Sequence, residues 1–286
     1  MPQPELETES TPVAIRITAL VIAHNRPELL RKCLLALEQS AQREQLEILV
    51  VDNGSTGGSS ELRDEFPGVR FTPLPRNFGL TKALNIGVRS SAGEFILLLH
   101  DDVEVSPATA AGLASILEAQ GDVGAVCPRL THPDGSGAPQ VARLPVPGDH
   151  DVEWRAAFPG SDAHAVEYAR GAAIMVRSFF LRAMRQIDER YGQFGSDAEL
   201  CRQVQRAAKQ VQVAGSLTAI DHGTPTTNAL RRADFELGLA AYLGKHYGFA
   251  AGLKARAGSM LRALRSFSLL RYVWGGQKID GTQPGA

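Results

Sequence analysis

Apolar runs alternate with helical patches along the first half of the chain, and this alternation limits the fold more than any other feature. ITALVIA (17–23), LEILVVD (46–52), VRFTPL (69–74), EFILLL (94–99) and VGAVCPRL (123–130) are short runs rich in β-formers. PELLRKCLLALEQS, after the first of them, sets Leu29, Leu30, Cys33, Leu34 and Leu37 at helical spacing behind Pro27, a residue suited to a first helical turn. SSELRDEF, LTKALNIGVRSS and PATAAGLASILEA supply further helices. Strand and helix alternating five times predict an α/β domain with a mostly parallel central sheet and flanking helices. The early strands are apolar without interruption, as expected when both sheet faces are covered.

Residues 131–168 break the rhythm. They are rich in Pro, Gly, Asp and His and read as a long loop region, which inside a domain is usually functional or mobile. AAIMVRS then resumes strand, DAELCRQVQRAAKQ resumes helix, and VQVAG and LTAID read as two short strands. From about Asn228 the chain is helical and basic. The expected organisation is a disordered acidic N-terminus (1–14), a catalytic α/β domain (15–228, with halves at about 15–130 and 131–228) and a basic helical tail (229–286).

Composition sets outer bounds. The 286 residues carry 30 basic and 31 acidic side chains, so no global nucleic-acid footprint is visible. The balance conceals a polarity: Leu237 to Ile279 hold seven Lys or Arg and no acid. Cys33, Cys127 and Cys201 are far apart and odd in number, which fits buried thiols in a reducing compartment rather than a disulfide framework. The N-terminus is unlike a signal peptide, and no apolar stretch is long enough to span a bilayer. The expected location is cytoplasmic.

The chemistry concentrates where the strands end, and ligands of open α/β sheets bind beyond those ends. His24, Asn25 and Arg26 follow the first strand, Asp52, Asn53, Gly54 and Ser55 the second, Arg76, Asn77 and Gly79 the third, and Asp101 and Asp102 the fourth. LLLHDDVEV ends a buried strand in three carboxylates within four positions. Like charges so close repel and resist burial, so the cluster is either solvated or faces something positive. No phosphate-binding glycine loop accompanies it. A phosphate held here needs another counter-charge, and an oxygen-liganded Mg²⁺ or Mn²⁺ is the natural one.

VIAHNRPELLRKCLLAL, ILVVDNGSTGGS, NFGLTKALNIGV, SSAGEFILLLHDDVEV, GAAIMVRS and DAELCRQVQRAAKQV, in this order, resemble the inverting GT-A glycosyltransferases of family 2, especially their rhamnosyltransferase-like branch. The resemblance covers about residues 17–228. It implies the GT-A fold, a nucleotide-diphospho-sugar donor (UDP- or dTDP-sugar), Mn²⁺ or Mg²⁺, and a glycan or lipid-linked acceptor in cell-surface polysaccharide synthesis. By matching position, Asp52 would contact the base, Asp101 the ribose and Asp102 the metal. Ala23, His24, Asn25, Arg26, Asn53, Ser55, Asn77, Gly79, Ala83 and Asn85 would line the nucleotide-sugar side. Asp197 matches the general base, and Gly171, Ser196 and Glu199 the acceptor pocket. Ser196 stands where the family usually has Glu. His222 sits where relatives often place a His that completes the metal site.

Two other readings fit parts of the pattern. A sugar-1-phosphate nucleotidyltransferase shares the topology but usually has a glycine-rich loop after strand one, where this chain has AHNRPEL. A catalytically inactive binding or scaffold protein is kept open by Ser196. In the tail, a helical projection gathers Phe249, Leu253, Met260, Leu264, Phe267 and Trp274 on one stripe with Lys254, Arg262 and Arg265 opposite. Such a helix suits peripheral binding to an anionic membrane surface. Packing on the domain, or a homodimer contact, is the alternative.

Overall fold

The computed structural model describes residues 14–160, 162–184, 186–192, 194–223 and 229–265, without side chains at 59, 60 and 229–231. In chain order the elements are β1 (Ile17–Ala23), α1 (Pro27–Glu38), β2 (Leu46–Asp52), α2 (Ser59–Glu65), β3 (Arg70–Pro73), α3 (Leu80–Ser90), β4 (Phe95–His100), β5 (Val103–Val105), α4 (Thr109–Ala119) and β6 (Val123–Thr131). There follow β7 (Pro139–Ala142), β8 (Arg155–Ala156), β9 (Ala163–Val166), β10 (Tyr168–Ala169), β11 (Ala173–Arg177), α5 (Ser178–Ala183), α6 (Ser196–Arg206), β12 (Gln210–Asp221), α7 (Ala229–Tyr247) and α8 (Phe249–Arg265). The expected acidic N-terminal segment lies almost wholly outside the described residues, as do Phe267 and Trp274.

The main sheet runs β3-β2-β1-β4-β11-β6-β12-β5, with β9 on β12. Its first half, β3 through β4, is parallel throughout. β11 enters antiparallel between β4 and β6, and β12 runs parallel to β6. The uninterrupted apolarity of β1 has a simple cause. Ala19, Val21 and Ala23 face a core shared with Leu30, Leu34 and Leu113 of α1 and α4. Leu20 and Ile22 face a second core with Leu84, Leu200 and Tyr242 of α3, α6 and α7. Successive side chains of a strand point to opposite faces, so a strand covered twice must be apolar at every position. All three cysteines are buried and free.

Two segments differ from the sequence expectation. The stretch read as a loop holds four short strands, of which β10, β7 and β8 form a small antiparallel sheet. Strands of two to four residues with Pro and Gly between them lack the period that would reveal them. VQVAG and LTAID are one strand, β12, whose register shifts between Ala214 and Thr218 at the irregularity that made them look separate.

The first tail helix is built into the body. Leu239, Tyr242 and Leu243 of α7 belong to the second core. Glu199 of α6, 2% exposed, anchors the same helix. It accepts hydrogen bonds from Tyr191 Oη (2.9 Å) and Gln203 Nε2 (2.6 Å), lies 2.8 Å from Lys245 Nζ and is hydrogen-bonded to His246 Nε2 at 2.7 Å. Lys245 also reaches Asp188 at 2.7 Å. Burial pushes the Glu199 carboxyl up, but the hydrogen bonds from Gln203, Lys245 and His246 outweigh it and hold it below the usual value. Lys245→Ala removes the ammonium partner of this buried carboxylate while Tyr191, Gln203 and His246 remain, and the expected loss is about 1–3 kcal/mol. That corresponds to a fall of roughly 2–12 °C in the thermal midpoint by calorimetry. An unchanged midpoint would mean that this network does not hold α7.

Candidate active site

The ends of β1, β2 and β3 are knitted into one rim by short polar side chains. Asp52 Oδ1 accepts the Ser55 N–H at 2.9 Å, closing the turn after β2. Gly54 in that turn has φ +76°, and a Cβ there would lie 2.4 Å from the backbone nitrogen of Asn77, so only glycine fits. Asn53 Nδ2 donates to Asn77 Oδ1 at 2.8 Å, and Asn53 Oδ1 accepts the Phe78 N–H at 2.9 Å. Asn77 Oδ1 also accepts the Gly79 N–H at 2.8 Å. From the β1 side, the Asn25 N–H donates to Ser55 Oγ (3.0 Å), and Asn25 Oδ1 accepts from the Thr56 N–H (2.9 Å). Asn25, Asp52, Asn53, Ser55, Asn77 and Gly79 are thereby brought to one rim.

Beside this rim the carboxylates after β4 are buried, Asp101 at 0% and Asp102 at 6% exposure. Something positive does face them. The Arg26 guanidinium reaches Asp102 Oδ2 through Nη1 at 2.5 Å and Asp101 Oδ1 through Nη2. The His24 N–H donates to Asp101 Oδ2 at 3.3 Å. Burial pushes the Asp101 carboxyl up to about 7, opposed by Arg26 and aided by the neighbouring Asp102 charge. Burial also pushes Asp102 up, but His100 and Arg26 outweigh it and hold it below the ordinary value. Asp102 Oδ1 has no hydrogen-bond partner. That oxygen lies 4.0 Å from His100 Nδ1, and a buried carboxylate oxygen without a hydrogen bond is the donor type that a hard divalent cation takes, so the residue fits a metal role. Among the described residues no group of three or more His, Cys, Asp or Glu is placed to hold a metal, so such a cation would share the ligand's own oxygens.

Asp102 borders a cavity of about 270 Å³ whose walls come from both halves of the domain. Its polar lining includes Arg26, Asp102, Arg170, Ser196, Asp197 and Asp221, and its apolar lining includes Leu80, Leu84 and Leu239. Asp197 sits in the first turn of α6, after Gly195 in the left-handed region, where the helix dipole favours a carboxylate. Its Oδ1 accepts hydrogen bonds from Tyr168 Oη (2.7 Å) and the Ala198 N–H (2.8 Å), and its Oδ2 from the Gly171 N–H (3.2 Å). Arg170 pairs with Asp221 at the end of β12. Sequence reasoning does not single out Tyr168, Arg170, Asp221 or the α7 wall. Arg170 stands one residue before Gly171 and Asp221 one before His222, so adjacency to matched positions is the available signal.

Other expected residues go elsewhere. Ala83 is fully buried in the second core. Asn85 spends its amide on the backbone of Ile187, accepting its N–H at 2.9 Å and donating to its carbonyl at 2.8 Å. It lines, with Glu199, a second polar cavity rather than the first. The cause is the helical turn: Asn85 and Glu199 point toward 186–189 and α7, away from Asp197. The His222 imidazole meets Glu104, with Nε2 2.5 Å from Oε1, and does not border the cavity with Asp102.

The Asp101 environment generates a titration prediction. The unfolded chain releases this proton near 3.8 and the folded chain near 7, so Asp101 withdraws stability as pH rises through that window. Carboxyl-carbon NMR should show its midpoint near 7, and Arg26→Ala should move the midpoint higher by removing the opposing charge. A midpoint near the ordinary value would refute the burial described.

Residues 18–185 match the family model for Glycosyl transferase family 2. Over 198 residues the chain is 25% identical to the N-acetylglucosaminyl-diphospho-decaprenol L-rhamnosyltransferase of Mycobacterium tuberculosis, covering 60% of this chain and 64% of that protein. Among solved structures, GalNAc-T7 with UDP, GalNAc and Mn²⁺ superposes with a TM-score of 0.66 at 12% identity, covering 96% of this chain and 60% of that one. S. aureus TarS 1–349 with UDP-GlcNAc gives 0.59 at 15% identity, covering 80% and 66%. These structural likenesses speak for the GT-A architecture. With its sheet, its strand-end acids and the family match over more than half its length, the chain belongs to glycosyl transferase family 2.

Proposed function

We propose that this protein transfers a sugar, with inversion, from a UDP- or dTDP-sugar to a glycan or lipid-linked acceptor, in the presence of Mn²⁺ or Mg²⁺. One observation carries the reading. Asp102 and Asp197 border the same cavity from opposite halves of the domain, and Asp197 is oriented by Tyr168 and Gly171. Asp197 takes the proton of the acceptor hydroxyl as that oxygen forms its bond to the sugar C1. The C1–oxygen bond to the diphosphate breaks with departure of the nucleotide. Asp102 would hold the divalent cation, which when bound stabilises charge on the departing diphosphate. Asp52 and Asp101 are assigned to the base and the ribose, on the rim beside the cavity. The names of the relatives agree with this chemistry: one specifies rhamnosyl transfer and a decaprenol diphosphate, and the solved neighbours hold UDP-sugar or UDP with Mn²⁺.

Asp197→Asn keeps the size of the side chain but removes its basicity. Turnover should fall on the order of 10² to 10⁴, with donor affinity by calorimetry unchanged. Wild-type turnover in that variant would move the base elsewhere. Glu199, tied to α7, is not placed to replace it.

The proposal extends to where the protein works: peripherally, on the cytoplasmic face of the membrane. Among the described residues no helix is long and apolar enough to cross a membrane. α8 nevertheless leaves Phe249 (81%), Leu253 (55%), Met260 (42%) and Leu264 (51%) exposed on a helix that carries Lys254, Arg256, Arg262 and Arg265. Each basic residue near an anionic surface contributes about 1 kcal/mol. Co-sedimentation of the full chain with anionic vesicles at low salt is expected, reduced by Phe249→Ser with Leu253→Ser. Equal binding by the variant would remove α8 from this role. Concentration-dependent self-association without lipid would instead make the stripe a homodimer contact.

A further inference from the structure

We infer that Trp154 is the platform on which a sugar ring of the acceptor lies, so that the acceptor brings a pyranose, rather than an alkyl chain, beside Asp197. The inference rests on the assignment of Asp197 as base and deepens it to the chemical class of the acceptor. Trp154 reaches the cavity by way of the small sheet. Its backbone N–H donates to the Val152 carbonyl at 3.1 Å, in a turn that leads into β8, and β8 pairs with β7 and β7 with β10. The Trp154 and Tyr168 rings meet with centroids 4.7 Å apart and planes tilted by 53°. Tyr168 is 4% exposed, and its hydroxyl donates to Asp197 Oδ1 at 2.7 Å. One ring therefore separates Trp154 from the base. Trp154 itself is only half-buried and borders the cavity, so the indole surface that Tyr168 leaves uncovered is open to a ligand.

A hydroxyl within hydrogen-bond reach of Asp197 brings the atoms that carry it beside this wall. A pyranose has C–H bonds on its faces and hydroxyls around its edge, so it needs an apolar surface with polar groups next to it. The cavity offers both. Trp154 supplies a flat, rigid surface, and Arg170 and Ser196 line the same cavity as Asp197. Leu80, Leu84 and Leu239 add to the surface against which C–H groups can rest. An alkyl chain would also gain from the indole, but it would set Arg170 and Asp197 against carbon and return no hydrogen bond, which costs free energy. The polar groups around the base therefore favour the ring.

The test reads the indole directly. Trp154 and Trp274 are the two tryptophans of the chain, so Trp274→Phe in the full chain leaves Trp154 as the sole emitter. With UDP or dTDP and Mn²⁺ present and no sugar donor, the methyl pyranosides of glucose, N-acetylglucosamine and rhamnose are titrated, and 1-octanol in parallel. At least one pyranoside should change the Trp154 emission saturably, and octanol should not. A saturable change with octanol and none with any pyranoside, or no change with any of the four, overturns the inference. The second arm is transfer to the pyranoside that binds, from a panel of UDP-, dTDP- and GDP-sugars. Trp154→Ala should raise the KM for that pyranoside at least about tenfold and Trp154→Phe by less, with kcat within about threefold of the wild type in both. A fall in kcat with KM unchanged would make Trp154 a prop for Tyr168 alone and overturns the platform. Saturable binding without transfer from any sugar nucleotide counts against the reaction proposed above and leaves the platform standing.

Discussion

Burial of carboxylates against few counter-charges is the constraint on which the site depends. Asp101, Asp102 and Asp221 are almost inaccessible to solvent, and Asp102, Asp197 and Asp221 border one cavity. Four acids drawn together in a partly desolvated space repel strongly. Arg26 and Arg170 offset part of that cost, and Tyr168 with the Gly171 N–H takes up the charge of Asp197. The fold tolerates the arrangement because β4, β12 and α6, which carry or adjoin these acids, are anchored in the two cores. Where strong burial and charge crowding coincide in a cleft, chemistry is the usual reason.

The scaffold explains why the two halves of the chain meet there. The parallel half delivers the strand ends of β1, β2, β3 and β4 to one rim. The antiparallel β11 and the long β12 bring Gly171 and Asp221 to the same edge from the other side. α7 contributes Leu239 and Tyr242 to the cavity wall, so the helix read from charge as the start of a tail shapes the pocket.

Much of this is legible in the sequence, for identifiable reasons. Continuous apolar runs reveal doubly covered strands, and polar residues directly after them reveal the rim, so the order of residues alone groups Asn25, Asp52, Asn53, Asn77 and Asp101. Asp197 is legible because it opens a helix beside a matched motif. What escapes is set by direction rather than by position. Asn85 and Glu199 lie on matched segments, but their helical phase turns them toward Ile187 and α7. His222 and Asp221 are neighbours on a strand end whose side chains diverge, which spacing alone cannot order. The small β10-β7-β8 sheet escapes because its strands are too short to show a period.

The most direct test of the account is thermal stability of the full chain against a panel of UDP-, dTDP- and GDP-sugars, each with and without Mn²⁺. A ligand that binds only the folded state raises its stability by mass action, by about 2.7 kcal/mol at a hundredfold excess over Kd. The account predicts that one class of nucleotide sugar raises the midpoint, that Mn²⁺ enlarges the rise, and that Asp102→Ala removes the Mn²⁺ contribution. No rise with any sugar nucleotide, with or without Mn²⁺, would contradict it.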